Sequence, residues 1–136
     1  MEYKDDNRGI IQFRNRARQI IDFSGLRYGK ITPMDIDGYM DWRKANVEIF
    51  LEMKHRDARM SDGQRYAYEK LVDDGKKAGT KAFALVCEHS VDETEKDVDA
   101  ASTLVREYYD GNRWHVADVD FTCKQFVDVM WRKYGK

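Results

Sequence analysis

The chain has 136 residues, enough for one domain around one core and too few for two. Hydrophobic residues make up 42% and charged residues 36%, with no low-complexity tract, which excludes a disordered or fibrous chain. With a formal net charge of -1, any anion-binding surface must arise from local clustering, and Arg14, Arg16 and Arg18 in "FRNRARQ" stand against the acidic run "VDETEKDVD" at 91–99, read as a solvated loop.

In chain order, Ile10, Phe13, Ala17, Ile20 and Ile21 follow the spacing of an amphipathic helix, which predicts a helix over about 8–23, ended by Gly25. Arg14 and Arg18 share one face of it, one turn apart, and are the candidate phosphate-binding pair. "GLRYGKITP" reads as turns with a short strand, and residues 35–56 as a β-hairpin. Ser61 or Asp62 caps a second helix over about 63–77, stopped by Gly79. "KAFALVCEH" is a buried strand, so strand, helix and strand form a crossover with the two strands parallel. Asp110-Gly111-Asn112 marks the turn of another hairpin, and Thr122 caps a C-terminal helix with apolar positions at Phe126, Val129 and Met130.

The segment "DIDGYMDWRKANVEIFLEMKHR" carries the most information. A turn at 43–46 sets Trp42 opposite Val47, Met40 opposite Ile49, Gly38 opposite Leu51 and Ile36 opposite Met53, one wholly apolar side. The same register places Asp41 opposite Glu48, Tyr39 opposite Phe50, Asp37 opposite Glu52 and Asp35 opposite Lys54, and a slip of one residue would mix the two sets. Asp37 facing Glu52 is a like-charge pair that a divalent cation with hard oxygen ligands would compensate, magnesium or manganese being suited to a phosphate substrate. Lys54, on the same side, can orient an attacking water or stabilise charge developing on phosphate.

With "PMDIDG" followed by "EMK", the segment resembles the PD-(D/E)XK nuclease superfamily, whose signature is an acid at the start of one strand and Glu-x-Lys in the next. In "GQRYAY", Gln64 and Tyr68 look like the Gln-xxx-Tyr element of its RecB-like members, and the run from 18 to 89 is similar to small nuclease-like proteins of phages and prophages. The resemblance covers roughly 8–90 and implies an α+β fold: a restriction-endonuclease-like core, a mixed sheet flanked by helices, with the C-terminal hairpin and helix at about 103–135 completing a single domain. It implies catalytic roles for Asp37, Glu52, Lys54 and Gln64, metal ligation by Asp37, Glu52 and the carbonyl of Met53, and a place for Tyr68 at the nucleic acid. Asp35 is the competing first acid. One departure is that no glutamate stands between Asn7 and Phe23, so either Asp22 substitutes for the family's helix glutamate or the site holds one metal.

Cys87 and Cys123 lie far apart in sequence and match no zinc-ligand spacing, and His55, His89 and His115 form no HxxxH pair, so reduced buried thiols and ordinary polar histidines are expected. An apolar signal region and a run of about 18 apolar residues are both lacking, which predicts a soluble cytoplasmic protein, in the host cytoplasm if phage-encoded. The expected function is Mg2+- or Mn2+-dependent hydrolysis of DNA phosphodiesters. The alternative is a non-catalytic nuclease-fold module that binds nucleic acid or assembles with a second copy or with phage replication and recombination proteins.

Overall fold

The alternation over 35–56 resolves into the hairpin it predicts. In the computed structural model, which describes residues 18–135, β1 (Gly38–Trp42) and β2 (Val47–His55) pair antiparallel, with Gly38 opposite Leu51, Tyr39 opposite Phe50, Met40 opposite Ile49, Asp41 opposite Glu48 and Trp42 opposite Val47. The register is the one that keeps apolar side chains together, because a one-residue slip would turn every one of them to the other face. The turn is a short 3-10 helix, Arg43–Ala45, closed by Asn46 in the left-handed region, a conformation that asparagine tolerates. The ladder begins at Gly38, so the expected pairings of Asp37 with Glu52, of Ile36 with Met53 and of Asp35 with Lys54 are not strand pairs.

Helix α1 (Asp62–Lys77) follows, with Ser61 as the cap and not Asp62: the Ser61 hydroxyl accepts from the Gln64 amide, and Gln64 Oε1 accepts from Ser61 N. The helix ends before Gly79, whose φ of +89° favours glycine. Strand β3 (Lys81–His89) then pairs parallel with β2 in one unbroken register, Val47 opposite Lys81 through His55 opposite His89. Strands β4 (Leu104–Tyr109) and β5 (Trp114–Val116) add antiparallel, giving a five-stranded mixed open sheet in the order β1-β2-β3-β4-β5. Their turn is held by the Asp110 carboxylate, which accepts from the amides of Asn112 and Arg113. The β3–β4 register shifts between Val86 and Cys87, so that Arg106 is the extra residue of a β-bulge.

Helix α2 (Cys123–Tyr134), capped by Thr122, completes this α+β arrangement. Cys123 and Phe126 pack with Val47, Ile49, Leu85, Cys87 and Val105 on one sheet face, while α1 covers the other, with Tyr68 and Val72 fully buried. Of the apolar positions expected on α2, Phe126 is inside but Val129 is 48% exposed: the inward arc begins at Cys123, whose thiol the apolar spacing did not count. No described helix is long and apolar enough to cross a membrane.

By its contacts the chain divides into two units, one ending at Met34 and one beginning at Asp35. The helix expected over 8–23 falls largely outside the described residues, and across 18–23 the backbone is a turn and irregular chain, followed by a 3-10 turn at Ser24–Leu26. A polar turn-forming pair competes with helix there: the Asp22 carboxylate accepts from Ser24 N at 2.9 Å. The short strand expected in "GLRYGKITP" is a single bridge between Tyr28 and Ile31.

Candidate functional site

On β2, alternate side chains point to opposite faces, and Glu48, Phe50, Glu52 and Lys54 share the face that α1 covers. The Tyr68 hydroxyl, one turn along α1 from Gln64, donates to Glu52 Oε2 at 3.0 Å. Lys54 Nζ donates to Gln64 Oε1 at 3.2 Å and lies 3.7 Å from Glu52 Oε1. Asp37, immediately before β1, accepts from the Met53 amide through Oδ2 at 2.7 Å. Asp37 is near enough to Glu52 for its charge to act on the Glu52 carboxyl. Five of the residues singled out from the sequence thus converge on one patch: Asp37, Glu52, Lys54, Gln64 and Tyr68.

Electrostatically the patch sets one carboxylate against another. Glu52 is 5% exposed, and burial first, then the Asp37 charge, pushes its pKa above the ordinary carboxylate value, against the pull of Tyr68 and Lys54. Burial, then the Glu52 charge, pushes the Tyr68 phenol well above its usual range, so it stays a donor. The hairpin contains an internal comparison. Asp41 and Glu48 are also opposed like charges, yet each has its own partner: the Arg43 guanidinium on Asp41 at 2.8 Å, and the Tyr39 hydroxyl on Glu48 at 2.7 Å. Asp37 has only a neutral amide and Glu52 only a phenol and a lysine 3.7 Å away.

A divalent cation fits this donor set: two hard carboxylate oxygens in mutual repulsion, one buried, with no dedicated arginine. No group of three or more His, Cys, Asp or Glu side chains with metal-site geometry occurs among the described residues, so the protein side of such a site would be two carboxylates with neutral oxygens in addition. Met53, named for its carbonyl, meets Asp37 through its amide N–H instead.

Tyr68, expected at the nucleic acid, is 1% exposed and bonded to Glu52; it orients a carboxylate from below and offers no surface to a polymer. Asp35 is exposed and forms no ion pair with Lys54. Asp22 and the exposed Arg18 belong to the first unit, and Arg14 lies outside the described residues.

Sequence reasoning did not find Arg106. Raised on the bulge, its guanidinium donates to the carbonyls of Ala58 and Arg56 and pairs with Glu88, strapping the loop between β2 and α1 to the sheet. That loop sets the distance between Lys54 and Gln64. Only the bulge gives Arg106 this reach, and no local pattern in "LVREYY" announces it. Beside the site opens a cleft of about 600 Å³ lined by Arg59, Arg65, Val86, Glu88 and Arg106, in which Val86 and Glu88 are the ladder neighbours of Glu52 and Lys54. A larger hollow of about 910 Å³, bordered by Arg56, His89 and Leu104, includes none of the five converging residues.

Comparison of the chain with protein-family models, with curated proteins and with solved structures gives no match.

Proposed function

We propose that the chain is a metal-dependent nuclease of the PD-(D/E)XK type that hydrolyses DNA phosphodiester bonds, in phage or prophage DNA processing, with β1, β2, β3 and α1 as its restriction-endonuclease-like core. The observation that carries this reading is the meeting of Asp37, Glu52, Lys54 and Gln64 in one patch, where two neighbouring carboxylates share one lysine, 3.7 Å from Glu52.

Asp37 and Glu52 would hold Mg2+ or Mn2+, with the Met53 carbonyl as a neutral oxygen. When bound, the ion supplies Lewis-acid polarisation of the phosphate and a lowered pKa for bound water. Tyr68 fixes Glu52 Oε2, leaving Oε1 turned towards Lys54. The Lys54 ammonium sits where it can orient the attacking water and stabilise charge developing on the phosphoryl oxygens. Gln64 uses Oε1 for Lys54 and for the Ser61 amide, so its NH2 group is left to donate to a phosphate oxygen. Arg59, exposed at the mouth of the cleft, is placed to hold the backbone of the polymer.

The test is incubation of purified protein with labelled single- and double-stranded DNA in magnesium, manganese or chelator, with Glu52→Gln alongside. Cleavage that needs the metal and Glu52 bears the reading out. Binding without cleavage under every condition replaces it with the non-catalytic module, and an RNA arm checks the choice of polymer.

A further inference from the structure

Arg56 follows β2, two residues beyond Lys54, and its φ of +51° lies in the left-handed region, which a residue other than glycine takes when its surroundings hold it there. Two contacts do so. Arg56 N donates to the His89 carbonyl at 2.7 Å, and the Arg56 carbonyl accepts from the Arg106 guanidinium. The side chain thus leaves the end of the sheet from a fixed point.

Its guanidinium grips a carboxylate as it would grip a phosphate. Arg56 Nε donates to Asp92 Oδ1 at 2.9 Å and Nη2 donates to Oδ2 at 2.5 Å, the two parallel bonds that a planar fork offers to either anion. His55 Nε2 stands 2.8 Å from the same Oδ1. The side chains of Arg56, His55 and Asp92 are 54%, 48% and 56% exposed, so solvent and solutes reach the contact and the ion pair is weak enough to exchange.

Asp92 belongs to the run 91–99, whose five acids and one lysine present repeated negative charge, as a nucleic-acid strand does. Every residue from 92 to 99 is exposed. Hollows flank the contact on both sides, one of about 910 Å³ bordered by Arg56, Asp97 and Asp99 and one of about 390 Å³ bordered by His55, Asp92 and Glu93. The loop can therefore lift without disturbing the core.

We propose that Arg56 and His55 are a phosphate-binding pair for a nucleic-acid backbone, and that Asp92 covers the pair until the polymer displaces the acidic loop. Lys54, His55 and Arg56 then stand in succession at the end of β2, the first beside Glu52 and the other two on a neighbouring phosphate. The choice of DNA as the polymer rests on the nuclease reading; the covered anion site is argued from other residues and does not.

The experiment measures binding of labelled single- and double-stranded DNA by fluorescence anisotropy in chelator, so that neither metal nor cleavage enters. The proteins are wild type, Asp92→Asn, Arg56→Asn, the double variant, and Glu95→Gln as the control for losing one negative charge from the same loop. Arg56→Asn is used because asparagine tolerates a left-handed backbone. Asp92→Asn should bind roughly fivefold tighter than wild type, the scale of one exposed ion pair removed from competition. Glu95→Gln should gain less than twofold, and the gain from Asp92→Asn should disappear in the double variant. Equal gains from Asp92→Asn and Glu95→Gln, a gain that persists without Arg56, or no DNA binding by Asp92→Asn overturns the proposal. Melting curves check that each variant folds; should Arg56→Asn fail, Arg56→Lys, which keeps the charge and loses the fork, takes its place in the cycle. Failure of the nuclease reading shows separately, as binding without cleavage once metal is restored.

Discussion

Asp37 and Glu52 are held by adjoining groups where the chain enters β1, Asp37 by the Met53 amide and Glu52 by the Tyr68 hydroxyl, and the Asp37 charge acts on Glu52. Burial and then the Asp37 charge raise the folded-state pKa of Glu52 above its ordinary value of 4.5. Between that value and the raised one, the folded chain keeps a proton that the unfolded chain has lost. The contribution of this group to stability is therefore present below about pH 4.5 and is lost as pH rises through the folded pKa. Metal-free Glu52→Gln should melt at a temperature that gains on wild type as pH increases towards neutrality. Parallel melting curves across pH would remove the buried charge from the account.

Metal should cancel the same penalty. Wild type should gain stability with manganese or magnesium, about 2.7 kcal/mol at a hundredfold excess over Kd, because the unfolded chain cannot assemble the pair. Asp37→Asn should be at least as stable as wild type without metal, since the repulsion is relieved, and should lose the metal response. Asp35→Asn should keep it, because Asp37, and not Asp35, is the acid bonded to the Met53 amide and acting on Glu52. Melts of the three proteins with and without manganese compare them directly; a response lost in Asp35→Asn and kept in Asp37→Asn would reverse the choice of acid.

Lys54→Ala should lower cleavage by about 10²–10³ through loss of charge beside the phosphate. The side chain is only 17% exposed, so its removal is not silent for the fold. It withdraws the ammonium that opposes the upward shift of Glu52, and that carboxyl responds by keeping its proton to higher pH. Single-turnover rates together with melts separate the two effects, and unchanged rates would take Lys54 out of the chemistry.

Tyr68→Phe keeps the packing of a buried ring and removes one donor. The expected cost is about 1–2 kcal/mol in denaturant titrations, with metal affinity weakened by roughly 10–100-fold, as for other groups that orient a ligand. A variant that binds manganese as well as wild type would leave Tyr68 with a packing role alone.

Arg59→Ala should weaken DNA binding across all sequences and reduce the slope of log K against log salt by about 0.9 on duplex DNA, the signature of one lost phosphate contact. Arg14→Ala and Arg18→Ala provide the comparison from the first unit. Slopes are measured by fluorescence anisotropy, and an unchanged slope for Arg59→Ala places the polymer elsewhere.

The hairpin register, the parallel pairing of β2 with β3, both capped helices and the second hairpin were legible in the sequence, because each rests on short-range rules: alternation with period two, a serine or threonine cap, an Asp-Gly turn. So was the sharing of one face by Glu52 and Lys54, which alternation places there, whereas Asp37 stands before the ladder and reaches it through the Met53 amide. The inward turn of Tyr68, the exposure of Val129, the strap made by Arg106 and the gathering of Cys87 and Cys123 into one buried cluster were not. Each depends on how a helix is rotated and set down on the sheet, or on a bulge that shifts one strand by a residue, and these are fixed by packing between segments tens of residues apart. The sequence determined which residues share a face; the tertiary structure alone decided what that face is pressed against.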